Sequence, residues 1–194
     1  MTPFLLYLLF EYIIMRAKTV RNEAVIFDFD DTLVKDSARS HLYRDGKYIR
    51  SMDADEFNHY IKQPNEEFDF SEFDNAKFIK AKKGPAWYLL HIYNDAAEEA
   101  RSYVPIFIIT ARRETVKPAI IEFLRRNEIN NLPAENIYCV GSPDVRAEDI
   151  PQLKEKIILS EIKPYYSKIT IYDDNDLTIN HLKTIPGINA VLIK

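Results

Sequence analysis

Cysteine is nearly absent from this chain of 194 residues: Cys139 stands alone, so no internal disulfide can form, and a reducing, cytoplasmic setting is expected. The four histidines, His41, His59, His91 and His181, are scattered without the spacing of a zinc site. Glycine is scarce, with 4 against 10 prolines, which excludes flexible Gly-rich linkers and fibrous repeats. Positive charge is not in excess either: 26 Lys and Arg face 30 Asp and Glu, for a net charge of −4. Such a chain has no broad field to gather polyanions and does not read as a reader of duplex-DNA grooves; a nucleic-acid substrate would have to be gripped locally. What is present, 46% hydrophobic and 29% charged residues, is the balance of a soluble chain long enough for one domain with a sizeable core.

A long uninterrupted apolar run is also missing. The opening MTPFLLYLLFEYIIMRAK is broken by Glu11 and falls short of the roughly 20 residues a membrane-spanning helix needs. It lacks the leading basic residues and small-residue cleavage site of a secretory signal. Residues 1–23 therefore read as an apolar extension with three readings open: a start placed ahead of the natural Met15, a helix packed on the domain, or a membrane-surface anchor. No transmembrane span is expected.

From residue 24 onward, buried strands alternate with amphipathic helices. AVIFDF and VPIFIIT (104–110) are short runs of strand formers; between them PAWYLLHIYNDAAEEARS opens with Pro85 and carries a helical apolar stripe. A helix over about 114–127 follows, then a strand at NIYCV (136–140), a helix at DIPQLKEKIILSEI, a strand at KITIYDD (168–174), a helix near NDLTINHLKT and a last strand at INAVLI. Strands separated by helices predict an α/β, Rossmann-like three-layer sandwich with a mainly parallel central sheet.

The chemistry begins where acids interrupt apolar strands. VIFDFDDTLV places Asp28, Asp30 and Asp31 at the end of the first strand, where a buried, unpaired carboxylate is costly. Residues two apart on an extended strand point the same way, so Asp28 and Asp30 share a face while Phe27 and Phe29 pack and Asp31 points elsewhere. ITIYDDND repeats the event with Asp173 and Asp174. Aspartates after strands often only cap the next helix, yet two acid-tipped strands in a parallel sheet predict a shared site at the carboxyl ends for a hard cation, magnesium above all. In FIITARRET, Thr110 ends a strand, and Arg112 with the following amides lies where a helix begins, an arrangement suited to an anion; Thr110 as a plain N-cap is the alternative. Lys154 or Lys156 supplies a positive charge near the acids.

These residues carry a resemblance. The chain is similar, from about residue 24 to its end, to the haloacid dehalogenase (HAD) superfamily of phosphohydrolases, among them HAD-like hydrolases of phages and large viruses. DxDxT appears as Asp28, Asp30 and Thr32; the Ser/Thr motif as Thr110; the helix lysine as Lys154, favoured over Lys156 because Ile157, Ile158 and Ile162 then form its inward neighbourhood; and the acidic pair as Asp173 and Asp174. The resemblance implies that residues 24–194 form a HAD-like phosphatase domain. In it Asp28 would attack phosphorus and form an aspartyl-phosphate, and Asp30 would act as general acid and then base. Thr110, Arg112 and Lys154 would bind phosphate oxygens. Magnesium would be held by Asp28, the backbone of Asp30, Asp173 and Asp174. Related ATPases carry threonine at the position of Asp30 and dehalogenases lack the acid, so the phosphatase branch is implied.

Substrate choice is expected in the insert over residues 35–84, since 82 positions separate Asp28 from Thr110. HLYRDGKYIRSM reads as a hairpin turning at Asp45 and Gly46, DADEFNHYIKQ as a short helix, and NEEFDFSEFDN as acidic and irregular: a small flap or cap. Lys77, Lys80, Lys82 and Lys83 form a basic run read as solvated surface. Trp87 and the tyrosines read as packing, and Cys139 as a buried strand residue. The expected partner is a phosphorylated small molecule or a nucleic-acid end, such as a nucleotide or a 3′-phosphate. The alternative is a non-catalytic scaffold that keeps the fold and binds metal or phosphate. Oligomeric state is not legible.

Overall fold

The computed structural model describes residues 22–194 apart from 36–37, 54–55, 58, 80–81, 99–103 and 143. The readings of the apolar extension, up to residue 21, and of Lys80 lie outside the described residues. The chain runs β1 (Glu23–Phe27), β2 (Val34–Lys35), β3 (Ser40–Arg44), β4 (Lys47–Met52) and β5 (Glu66–Asp69), two 3₁₀ turns (Ser71–Asp74 and Ala76–Phe78), then β6 (Lys82–Lys83) and α1 (Trp87–Glu98). It continues through β7 (Ile106–Arg113), α2 (Lys117–Arg126), β8 (Ile137–Gly141), α3 (Ile150–Ile157), β9 (Lys168–Asp173), α4 (Asp176–Leu182) and β10 (Ile188–Leu192).

Five strands form a central sheet in the order β10-β9-β1-β7-β8, every pairing parallel. β1 lies in the middle, with Val25 opposite Ile106 on one side and Thr170 on the other. Alternation along β1 divides its side chains between two cores. Val25 and Phe27 pack with Leu90 of α1 and Ile120 and Leu124 of α2. Ala24 and Ile26 pack with Ile158 and Ile162 beyond α3 and with Ile179 and Leu182 of α4. Both faces are covered, which is why β1 reads as an unbroken apolar run and why the fold is a Rossmann-like three-layer sandwich. α3 passes into a π turn at Ile158–Ile162, whose wide bond from Lys163 N to Ile158 O (2.8 Å) keeps Ile158 and Ile162 both buried.

The segment between the loop after β1 and α1 builds its own small sheet, in the order β4-β3-β5, all antiparallel. The β3–β4 turn is a two-residue connection, and Asp45 (φ 49°) and Gly46 (φ 72°) both occupy the left-handed region that such turns require. NEEFDFSEFDN is more ordered than its acidity predicts. Glu66–Asp69 pairs with β3, because Glu66 is neutralised by Arg44, Tyr60 and a backbone amide rather than by solvent. A ribbon of β2 and β6 ties this segment back to the sandwich. There Gly84 is indispensable: a Cβ on it would lie 2.4 Å from the Thr32 carbonyl oxygen.

Candidate active site

Because β1, β7 and β9 are parallel neighbours, their carboxyl ends open on the same side, and the chain reverses direction across the sheet at β1. A cavity of about 520 Å3 lies there. Asp28, Asp30, Thr110, Lys154, Asp173 and Asp174 all line it. Asp28 N donates to Tyr172 O (2.9 Å), prolonging the β1–β9 ladder past the last strand residue and holding the Asp28 backbone in place.

Lys154 decides between the two candidate lysines. It is buried on α3, whereas Lys156 is exposed. Its Nζ donates to Asp28 Oδ1 at 2.6 Å and to Asp173 Oδ2 at 2.7 Å. Burial alone would lower the ammonium pKa, but Asp173 and Asp28 raise it above its ordinary value, so the lysine stays charged. Asp173 has a second duty: its Oδ1 accepts the Asn175 amide (2.9 Å), and Asn175 Oδ1 in turn caps α4 by accepting from Thr178 N (3.1 Å). Asp28 is pushed well above the usual carboxylate range, first by burial and then by Asp173 and Asp174, against the pull of Lys154. Asp174 is pushed up to about 7, by burial first and then by Asp173 and Asp31.

Asp30 faces the same cavity but answers to a different cation. Arg112 Nε and Nη2 grip its two carboxylate oxygens at 2.8 and 2.7 Å, a bidentate pair with the guanidinium fully buried. Arg112 Nη1 donates to the Phe73 carbonyl at 3.1 Å. Arg112, expected on the phosphate, is thus not among the cavity-lining residues, whereas its neighbour Arg113 is. Thr110 is expected at a strand end with a helix starting at once; instead β7 runs on to Arg113, and α2 begins at Lys117 after a 3₁₀ turn. A break in the β7–β8 register between Thr110 and Arg113 accounts for this extension. The Arg112 amide bonds to Thr110 Oγ1 (3.2 Å), so this amide is turned to the threonine and not to an open helix end. Gly141 permits the close passage, since a Cβ there would lie 2.0 Å from Ala111 O.

Three features escape the sequence reading. Asp31, expected to point away, lines the cavity because its backbone is left-handed (φ 54°) and breaks the strand alternation. Gly141 carries no motif, although a lone glycine ending a strand is the available signal. The opposite wall comes from the insert and bears Phe57, Phe68, Phe70 and Phe73. Phe73 is drawn in by the same guanidinium that holds Asp30.

The residues suit a divalent cation by their charge. Asp28, Asp31, Asp173 and Asp174 line the cavity around one buried ammonium, a surplus of hard oxygen donors over positive charge, and burial together with neighbouring acids raises the pKa of Asp28 and Asp174. Among the described residues no group of three or more His, Cys, Asp or Glu side chains is arranged to hold a metal ion. Magnesium does not ask for such a group, since it binds through one or two carboxylates and retains several waters. No described helix is long and apolar enough to cross a membrane.

No protein-family model matches the sequence, and no curated protein matches it significantly. The fold is similar to chains in two solved Pnkp1/Rnl/Hen1 complexes, the first described as an RNA repair complex. The first has a TM-score of 0.55 and 14% identity, covering 88% of this chain and 42% of the other. The second has a TM-score of 0.55 and 15% identity, covering 90% and 47%. The present chain therefore spans less than half the length of those it matches. The HAD domain of the effector protein Lem4 from Legionella pneumophila is a more distant neighbour, with a TM-score of 0.42 and 17% identity over 90% of this chain and 86% of that one. At these identities the likeness is one of fold.

Proposed function

We propose that this chain is a magnesium-dependent phosphohydrolase that acts on a phosphate monoester through an aspartyl-phosphate intermediate. The observation that carries the reading is the convergence of Asp28 and Asp173, from different strands, on Lys154 Nζ in a cavity that also presents Asp30 and Thr110. An ammonium buried between acids at a sheet switch point is expensive scaffolding unless an anion is to be received there.

Asp28 is the nucleophile. Lys154 occupies its Oδ1, which leaves Oδ2 to form the bond to phosphorus as the bond to the leaving oxygen breaks. Asp30 is placed to serve that oxygen as acid and then, as base, to take a proton from the water that cleaves the acyl phosphate and restores Asp28; both its oxygens accept from Arg112, so carrying the proton requires that one of these two bonds be released first. Arg112 holds the plane of Asp30 through both oxygens and acts as a positioning residue rather than a phosphate ligand. Thr110 Oγ1 and Lys154 Nζ receive the non-bridging oxygens. Asp28, Asp174 and the Asp30 carbonyl, with Asp173 behind them, would hold magnesium, which would supply the charge that lets an anionic carboxylate approach an anionic phosphate. Nucleotides and nucleic-acid 3′-phosphates are the substrates proposed, and the likeness to a component of an RNA repair complex keeps the second in view.

The test is p-nitrophenyl phosphate hydrolysis by the full chain with magnesium, with EDTA, and with Asp28→Asn. A metal-dependent rate that EDTA and the substitution both abolish is expected. Equal rates in all three arms would leave the scaffold reading in its place.

A further inference from the structure

Four phenylalanines of the insert face the acidic floor of the cavity across open space, and none belongs to either hydrophobic core. Phe70 is the centre of the group. Its ring lies 5.4 Å from Phe57, 5.9 Å from Phe68 and 6.2 Å from Phe73. All four rings keep part of their surface exposed to solvent. The rings pack on one another and line the cavity above the proposed phosphate position, where a flat apolar group would cover the surface they leave exposed.

Resting on the phosphohydrolase reading, we infer that this wall selects the leaving group, and that the group is a nucleoside: the substrate is a nucleoside phosphate monoester whose base stacks on the Phe70 cluster while its phosphate lies between Asp28 and Thr110. Two observations choose a nucleoside over a phenol ring such as that of phosphotyrosine. The cavity, at about 520 Å3, lies within the ordinary range of pockets that enclose whole ligands and exceeds what one phenyl ring and a phosphate fill. Its lining also holds polar groups, Ser40, Asp69, Ser71 and Asp74, with Asp69 bonded to Ser71 and Asp74 paired with Arg113. A sugar and a heterocycle carry donors and acceptors that can share the remaining capacity of these carboxylates and hydroxyls, which a phenyl ring would only desolvate. Stacking on Phe accepts any base, since every base has a π face.

Free nucleotides and nucleic-acid ends share this chemistry, and separate arms of the test distinguish them. The full chain carrying Asp28→Asn, which binds without turnover, is titrated calorimetrically in magnesium with inorganic phosphate, glycerol phosphate, 5′- and 3′-nucleoside monophosphates, a 3′-phosphorylated oligonucleotide and phosphotyrosine. Nucleoside monophosphates are expected to bind at least about tenfold tighter than glycerol phosphate, the gain that stacking of one base provides. Phe70→Leu, which keeps an apolar side chain, is expected to bring that ratio to within about threefold of one. The order of kcat/KM for the unsubstituted chain over the same panel provides a second reading should Asp28→Asn fold poorly. Tighter binding of the oligonucleotide than of the 3′-mononucleotide identifies a nucleic-acid end; equal or weaker binding identifies the free nucleotide. The inference is overturned if nucleosides gain nothing over glycerol phosphate, if phosphotyrosine gains as much as they do, or if Phe70→Leu leaves the ratio unchanged. Failure of the phosphohydrolase reading shows differently, as no inorganic phosphate bound and no ester hydrolysed, and it removes the inference as well.

Discussion

Asp28 and Asp173 accept hydrogen bonds from one and the same atom, Lys154 Nζ, at 2.6 and 2.7 Å. The side chains of all three are at least nine-tenths buried. Lys154→Met keeps the apolar stem and removes the charge, leaving two carboxylates that repel each other in a poor solvent. Breaking a buried ion pair in this way costs about 3–5 kcal/mol. The variant is expected to unfold at lower temperature, and to recover stability as pH falls. An acid whose folded pKa is raised binds more protons folded than unfolded, so its stability is present at low pH and lost as pH rises. Thermal unfolding of both proteins between pH 5 and pH 8 tests this, and indistinguishable curves would show that the triad is not coupled.

Asp174 gives the second prediction. Burial, then Asp173 and Asp31, push it up to about 7, against an ordinary value of 3.8. Between those two values the folded chain holds the extra proton, so in metal-free buffer its stability declines as pH climbs from about 4 to 7 and levels off beyond. Magnesium reverses the balance, since it binds only the deprotonated form. Saturating magnesium is thus expected to raise the midpoint of thermal unfolding more at pH 8 than at pH 5.5. A shift of equal size at both values would remove Asp174 from the proposed magnesium ligands.

The acids themselves were legible in the sequence because they violate a pattern: Asp28, Asp173 and Asp174 interrupt apolar strands, and period-two alternation places their neighbours correctly in the two cores. Lys154 was favoured for its isoleucine neighbours, and Ile158 and Ile162 are indeed buried. What local pattern does not reveal is pairing across distance. Arg112 sits beside Thr110 in sequence, yet its partners are Asp30 and the Phe73 carbonyl, both set by how the insert folds over the strand ends. The aromatic wall is hidden for the same reason: the acidity of NEEFDFSEFDN suggests a loop, and only the pairing of β5 with β3 shows that part of it is a strand.

The Asp30–Arg112 pair supports a third prediction. Asp30→Asn removes the proposed general acid and is expected to lower kcat by about 10²- to 10⁴-fold. Arg112→Lys retains the charge but cannot make the bidentate grip or reach the Phe73 carbonyl in the same geometry. It is expected to lower kcat with little change in KM, because it acts through Asp30. In the double variant the losses should not multiply, since a residue that only positions Asp30 has nothing left to position. Full additivity on kcat would mean that Arg112 contacts the substrate itself.

Cys139 provides a check away from the chemistry. It is half-buried on β8, and burial, with a smaller push from Glu114, raises its thiol to about 12. At pH 8 the thiolate fraction is then about 10⁻⁴, against tens of per cent for a free thiol. Alkylation by iodoacetamide is expected to be negligible in the folded chain and to become rapid in denaturant, with a rate that follows unfolding. Prompt modification of the native protein would show that β8 opens locally.

The insert stands or falls on Glu66, whose side chain is fully buried yet carries a charge. It accepts hydrogen bonds from Gln63 N (2.8 Å), Arg44 Nη2 (2.6 Å) and the Tyr60 hydroxyl (2.9 Å), so β5, the end of β3 and the loop of Tyr60 and Gln63 ahead of β5 are tied to one carboxylate. The Gln63 amide, ahead of Arg44 and Tyr60 and against the cost of burial, holds its pKa below the ordinary 4.5. The linkage then has the opposite sign to that at Asp174: the stabilisation is present above about 4.5 and is lost as pH falls below it. Glu66→Gln keeps the shape but removes the charge that gathers three donors. Amide hydrogen exchange at pH 7 is expected to quicken in β3, β4 and β5 while β1, β7 and β9 keep their protection, because the insert contributes little to the central sheet. Equal loss of protection in both sheets would mean that the insert and the sandwich unfold as one unit, and that the aromatic wall cannot rearrange without opening the site beneath it.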